Sequence, residues 1–182
     1  MISQTAAGDR GAFHSLVLRH QSAIYRHLRT LTPTVQDAED ALQETFLAAF
    51  RHAATYRGES SARTWLFTIA RNSAFRLARK KLPSQTDSLT ENDGLLDELA
   101  RKAGFGAGDP EELAIRAQCR ERMNRALSSL SAEDREILIL RDLEGLSGEE
   151  TSAVLSIGLA AMKSRLHRAR LRLAAVLREQ GA

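Results

Sequence analysis

The 182-residue chain has one cysteine, three prolines and an aromatic content of only 5%, and each scarcity removes a class of protein. Cys119 has no partner for an internal disulfide and no neighbours at metal-ligand spacing, so it is read as inert. Few aromatic and β-branched residues, set against abundant Ala, Leu, Arg and Glu, argue against a parallel sheet or a sandwich and for helices. No stretch approaches the roughly 18 consecutive apolar residues of a membrane-spanning helix. The start, Met1-Ile2-Ser3-Gln4, lacks the basic-then-apolar build of a secretion signal. No membrane insertion is expected, and the cytoplasm is the expected compartment. The 43% of residues that are hydrophobic suffice for one modest core or two small ones.

A net charge of +3 looks uninformative until it is resolved along the chain. Residues 1–82 hold 12 Lys/Arg against 6 Asp/Glu, residues 83–112 hold 2 against 8, and residues 113–182 hold 12 against 9. Two basic bodies therefore flank an acidic connector. Clustered Lys and Arg release counterions from phosphate, so this asymmetry points to nucleic acid as a partner.

Apolar residues recur at helical spacing through the first body. Phe13, Leu16, Val17, Ile24, Leu28 and Leu31 form a stripe that stops at Thr32-Pro33. A second helix is expected from about Val35 to Ala54, with Val35, Ala38, Leu42, Thr45, Ala49 and Ala53 on one side and Asp37, Asp40 and Glu44 on another. A loop at Gly58-Glu59-Ser60-Ser61 precedes a third helix, Ala62 to Lys81, capped by Ser60 or Ser61, with Leu66, Ile69, Ala70, Ser73 and Leu77 inward.

Pro83 ends this body. The Ser-, Asp-, Glu- and Gly-rich run to Glu112 reads as a flexible acidic linker interrupted by Leu95-Leu96-Asp97-Glu98-Leu99. Its charge is expected to keep the free protein from binding DNA unproductively. Four helices are expected beyond it: about 110–129, one starting near Ser131, 147–155, and a long one over 159–178. The last carries Leu159, Met162, Leu166, Ala169, Leu173 and Val176 on one face and six Lys/Arg residues elsewhere. A turn at Ser156-Ile157-Gly158 between the last two helices is a helix-turn-helix signature, with Ile157 as an apolar plug and Gly158 as the residue that lets the backbone bend. Lys163, Ser164, His167 and Arg168 then face outward, a mix suited to phosphates and base edges.

Ala132-Glu-Asp-Arg-Glu-Ile-Leu-Ile-Leu-Arg141, Leu146-Ser-Gly-Glu-Glu150 and Met162-Lys-Ser-Arg-Leu-His-Arg-Ala-Arg170 resemble region 4 of the extracytoplasmic-function (ECF) sigma factors of the sigma-70 family. Asp37-Ala-Glu-Asp-Ala-Leu-Gln-Glu-Thr-Phe-Leu47, Tyr56-Arg-Gly-Glu-Ser60 and Thr64-Trp-Leu-Phe-Thr-Ile-Ala-Arg-Asn72 resemble region 2. The resemblance implies an all-α chain of two small helical domains, region 2 over 1–82 and region 4 over 113–182, joined by the linker. It implies a transcription initiation factor, not an enzyme, with no catalytic residue, metal, cofactor or small-molecule substrate. Its implied partners are core RNA polymerase, promoter DNA and an anti-sigma factor.

By the same resemblance, Lys163, Ser164, Arg165, His167 and Arg168 read the minus-thirty-five element, with Arg165 and Arg141 suited to phosphate contact or to pairing within the domain. Asp37, Asp40, Gln43 and Glu44, with Leu47 and Phe50, dock on the clamp helices of the large polymerase subunit. Tyr56, Arg57, Ser60, Ser61, Arg63, Trp65, Thr68, Arg71, Asn72, Phe75, Arg76 and Arg79 form the minus-ten reader. Trp65 has two readings, a stacking platform for DNA or an anchor of the core. Ala160-Ala161-Met162 replaces a Gly-Thr-Val common among relatives, and Gly148 and Thr151 stand where many carry an aromatic or Ile, so the promoter sequence is not transferable from a relative.

Three rivals explain less. A helical nuclease using Asp37, Asp40 and Glu44 lacks a matching carboxylate or Glu-x-x-His set on a second helix. His14, His20, His27 and His52 are scattered and read as structural. A stand-alone repressor leaves the acidic stripe and residues 56–72 unused, and a decoy that sequesters a regulator needs no basic recognition helix.

Overall fold

The computed structural model describes residues 2–81 and 110–180, all in helices and their connections, with no β-strand among the described residues. Most of the segment expected as the linker, including Leu95 to Leu99 and six of the eight acids proposed to screen DNA, lies outside the described residues, and the other two, Glu111 and Glu112, fall in a helix that begins at Pro110.

The first unit comprises α1 (Ile2–Ala6), α2 (Arg10–Leu31), α3 (Val35–His52), a 3-10 turn at Ala53–Thr55, and α4 (Ala62–Lys81). Local chemistry sets each start. Asp9 Oδ1 accepts from the backbone N–H of Gly11 at 2.8 Å and of Ala12 at 3.0 Å, filling orphan donors of α2. Thr34 accepts from Asp37 N–H at 3.0 Å, and Ser61 accepts from Thr64 N–H at 3.1 Å, which makes Ser61 the residue that caps α4. The core joins Leu16, Ile24 and Leu28 to Ala38, Ala41, Phe46 and Ala49 and to Leu66, Phe67, Ala70 and Ala74. Alanines on α3 let its neighbours approach closely.

Three features depart from the expected pattern. α1 was not anticipated; five residues are too short to display a period, yet Ile2 and Thr5 are buried against α2 and the 3-10 turn. Phe67 is fully buried although it lies off the single inward stripe expected of α4. That helix is covered on more than one side, by α2 and α3 and by the second unit. Val35, expected inward, is 48% exposed because it is the first residue of α3 and overhangs the bundle.

The second unit comprises α5 (Pro110–Ser128), α6 (Ala132–Leu138), a single π turn at Ile139–Leu143, α7 (Gly148–Leu155) and α8 (Leu159–Glu179). Ser131 caps α6 and Ser147 caps α7 through a complete capping box with Glu150. Ile137, Leu138, Leu140, Leu146, Val154, Leu155, Met162, Leu166 and Ala169 form its core. The two units meet where α4 packs on α7 and where α2 packs on α6 and the π turn.

Thr151 is fully buried in this core, and its hydroxyl has no hydrogen-bond partner among the described residues. A buried unsatisfied hydroxyl costs free energy that a methyl of the same shape does not. Thr151→Val is therefore expected to raise stability by about 1 kcal/mol, read as a higher midpoint in thermal unfolding; a lower midpoint would show that the hydroxyl is satisfied.

Candidate nucleic-acid and polymerase interfaces

The sequence assigns six surface cations to α8, and the structure divides them. Arg170 donates through Nε to Asp142 at 3.0 Å in a two-pronged pair, Arg172 pairs with the buried Asp134, and Arg165 lies 3.6 Å from Glu133. Asp142 raises the Arg170 guanidinium pKa by hydrogen bonding first and by charge second. These three fasten α8 to α6 and the π turn. Lys163, Ser164, His167 and Arg168 are exposed together, and no acid pairs with Lys163 or Arg168 among the described residues. Arg141 also turns inward, donating to the Leu146 carbonyl.

The turn ahead of α8 works differently from the expected glycine hinge. Ser156 is the residue in the left-handed region, at φ +56°, and it ends α7. Gly158 has φ −67° and caps α8 with open space where a side chain would stand, so neither conformation nor crowding requires glycine there. Crowding occurs at Gly148, where an added Cβ would lie 3.1 Å from side-chain carbons of Leu159 and Met162. This brings the start of α7 close to α8. Ile157 is half-buried against the core.

On the first unit, α3 and α4 enclose a groove of about 440 Å³ lined by Asp40, Gln43, Glu44, Leu47, Ser73, Arg76, Leu77 and Lys80. Glu44 lies 3.4 Å from Arg76 and 3.7 Å from Arg51. Leu47 and Phe50 are exposed beside it, Phe50 meeting Phe13 edge to face at 5.0 Å between centroids. Asp37 stands apart from this set. It is buried at the start of α3, where the Thr34 hydroxyl donates to its carboxylate at 2.8 Å.

The residues read as the minus-ten reader fall into groups. In the loop, the Tyr56 hydroxyl donates to the Ser60 carbonyl, and Gly58 takes a positive φ of 75°. The Tyr56 and Trp65 rings lie 5.2 Å apart and both pack on the core. Arg57, Asn72, Phe75, Arg76 and Arg79 are exposed. Thr68 is half-buried and donates to the Thr64 carbonyl.

Ser61, Arg63 and Arg71 instead point at the second unit. Ser61 and Thr64 donate to Glu150 at 3.0 and 2.7 Å, Arg63 donates to Glu144 at 2.7 Å, and Arg71 donates to Glu136 at 3.0 Å. Arg26 also donates to Glu144 at 2.6 Å, and His27, fully buried, lies 3.0 Å from Glu136. Sequence reasoning missed Glu136, Glu144, Glu150, Thr64 and Arg26 because acids on a helix read as solvated surface. The available signal was Glu136 beside the unbroken apolar run Ile137 to Leu140.

The Glu150 carboxyl is held below the usual carboxylate range, first by the Ser147 backbone N–H and then by the Thr64 hydroxyl, against a smaller opposing effect of burial. A depressed carboxyl contributes stability that is present above its unfolded pKa and is lost as pH falls through the folded one. Between about pH 6 and pH 3, Glu150→Gln is expected to lose less stability than the native chain in chemical denaturation. An equal loss would deny Glu150 this role.

Residues 16–82 match Sigma-70 region 2, and residues 120–173 match Sigma-70, region 4. The chain is 32% identical over 178 residues to the ECF RNA polymerase sigma-E factor of Salmonella typhimurium (strain LT2), which covers 93% of this chain and 88% of the relative. The chain belongs to the ECF sigma factors of the sigma-70 family. Sigma factors are transcription initiation factors, not enzymes, and the all-helical, two-domain organisation expected of this one is what the structure has. Among solved structures, CnrH in complex with the cytosolic domain of CnrY is 28% identical to this sigma factor with a TM-score of 0.66, covering 98% of this chain and 95% of that one. RpoE of Bartonella quintana, solved with the anti-sigma factor NepR, is 26% identical with a TM-score of 0.68, covering 92% of this chain and 97% of that one. Among the described residues no helix is long and apolar enough to cross a membrane.

Proposed function

We propose that this ECF sigma factor binds core RNA polymerase through the α3–α4 groove, reads the minus-thirty-five element with α8, and reads and melts the minus-ten element with α4 and the loop before it. The observation that carries the reading is the display on α8: Lys163, Ser164, His167 and Arg168 are exposed together while three neighbouring cations are engaged within the domain. Region 2 is taken as residues 1–82, the acidic tether as 83–112 and region 4 as 113–182. Action in the cytoplasm, where polymerase and DNA are, belongs to the same reading.

In the groove, Asp40 and Glu44 steer a basic partner surface while Leu47 and Phe50 supply apolar contact. Asp37, buried behind the Thr34 cap, supports the start of α3 in this reading and does not touch the partner. Control by an anti-sigma factor is proposed from the Bartonella relative, whose structure was solved with one.

The deciding experiment is run-off transcription with purified sigma factor and core polymerase on genomic promoters. Specific transcripts are expected, and their absence where another sigma factor works would overturn the reading. Asp40→Arg with Glu44→Arg is expected to weaken core binding at least about tenfold; unaltered affinity would remove the groove from the interface.

A further inference from the structure

We propose that Glu136, Glu144 and Glu150 of region 4 form an acidic clasp that takes the place of DNA phosphates on region 2, closing the free sigma factor toward the minus-ten element. The inference rests on the reading of region 2 given above, and it adds a state in which three members of that reader, Ser61, Arg63 and Arg71, are held from within the chain.

The chemistry of the contact supports the substitution. A guanidinium offers carboxylate and phosphate the same N–H fork. Arg63 donates to Glu144 and Arg71 to Glu136, and the Ser61 and Thr64 hydroxyls, which suit a phosphate oxygen equally, donate to Glu150. Each donor hydrogen serves one acceptor at a time, so DNA and the clasp compete. Glu136 and Glu144 are 3% and 2% exposed at their side chains, so the contact is built and not incidental.

Closure is selective. Lys163, Ser164, His167 and Arg168 remain exposed, and the groove holding Asp40 and Glu44 is open. Polymerase can therefore dock while Ser61, Arg63 and Arg71 are still held by the clasp. Opening then exchanges one acceptor for another: Arg63 and Arg71 leave carboxylates for phosphates and are not stranded without a partner. A protein competent only in a minor open state binds with its affinity reduced by that fraction.

The test uses the full chain carrying Lys163→Ala and Arg168→Ala, so that α8 contributes little DNA binding, with and without Glu144→Gln and Glu150→Gln. Glutamine keeps the side-chain shape and, at position 150, can still complete a capping box. Small-angle scattering reads opening, and fluorescence anisotropy reads binding of a labelled single-stranded oligonucleotide of mixed sequence and about 20 nucleotides. The glutamine variant is expected to have a larger radius of gyration and to bind the oligonucleotide roughly tenfold more tightly. An unchanged radius overturns the clasp, and so does opening without a gain in affinity. Arg63→Ala with Arg71→Ala, tested in complex with polymerase by permanganate footprinting, separates the two readings. If promoter melting persists, the assignment of Arg63 and Arg71 to the minus-ten reader fails. If melting is lost while the glutamine variant gains no affinity, the clasp alone fails.

Discussion

Phe67→Ala is expected to destabilise the protein by roughly 3–5 kcal/mol, the usual cost of emptying a fully buried aromatic site. For a chain of this length that corresponds to a fall in thermal midpoint of roughly 6–20 °C. Phe67 meets the ring of buried His27 edge to face at 5.3 Å, and the Arg63 guanidinium lies 5.6 Å from its centroid. Both neighbours also hold acids of region 4, His27 beside Glu136 and Arg63 on Glu144. The cavity is therefore expected to loosen the junction of the two regions as well as the first core. Phe75, on the same helix but 42% exposed, provides the comparison: Phe75→Ala is expected to cost less than about 1 kcal/mol. Equal thermal midpoints for the two variants would contradict the packing of α4 described above.

Lys163→Ala combined with Arg168→Ala is expected to reduce promoter binding by the holoenzyme about a hundredfold or more, since each lost contact of this kind is worth about 1–3 kcal/mol. Salt dependence discriminates between contacts. Each phosphate contact removed lowers the slope of log affinity against log salt by about 1, whereas loss of a base contact relaxes discrimination between promoter sequences. Titration at several salt concentrations on the cognate promoter and on a scrambled one separates these outcomes. Arg170→Ala is expected to act through stability instead, because its guanidinium is committed to Asp142. If Lys163 and Arg168 can be removed without loss of affinity, α8 is not the reading helix.

Helical periodicity located α2, α3, α4 and α8 to within a few residues, because each buries a stripe long enough to repeat, while the first-turn acids Glu133 and Asp134 marked the start of α6. It failed where the repeat is short or where a helix is covered on several sides. α1 has five residues, and Phe67 lies off the stripe because α4 is packed from more than one direction. The turn before α8 was legible as a turn, but its strained residue was misplaced: Ser156, not Gly158, takes the positive φ. The candidate DNA-reading positions of α8 were legible because an outward basic face contrasts with an apolar one. The pairings that divide that face were not, since Asp134 and Asp142 lie 38 and 28 residues away from the arginines they hold. The acids that join the two regions were invisible for the same reason, with separations from 65 to 118 residues.

Glu150 serves two masters with one carboxylate. One oxygen accepts from the Ser147 backbone N–H at 2.8 Å and begins the helix-turn-helix, while the other accepts from Ser61 and Thr64 across the junction. A position with two such duties is poorly free to drift: a substitution that preserves the cap can still cost the junction. Across related chains, a change at position 150 is therefore expected to be accompanied by a change at 61 or 64, while a serine or threonine persists at 147.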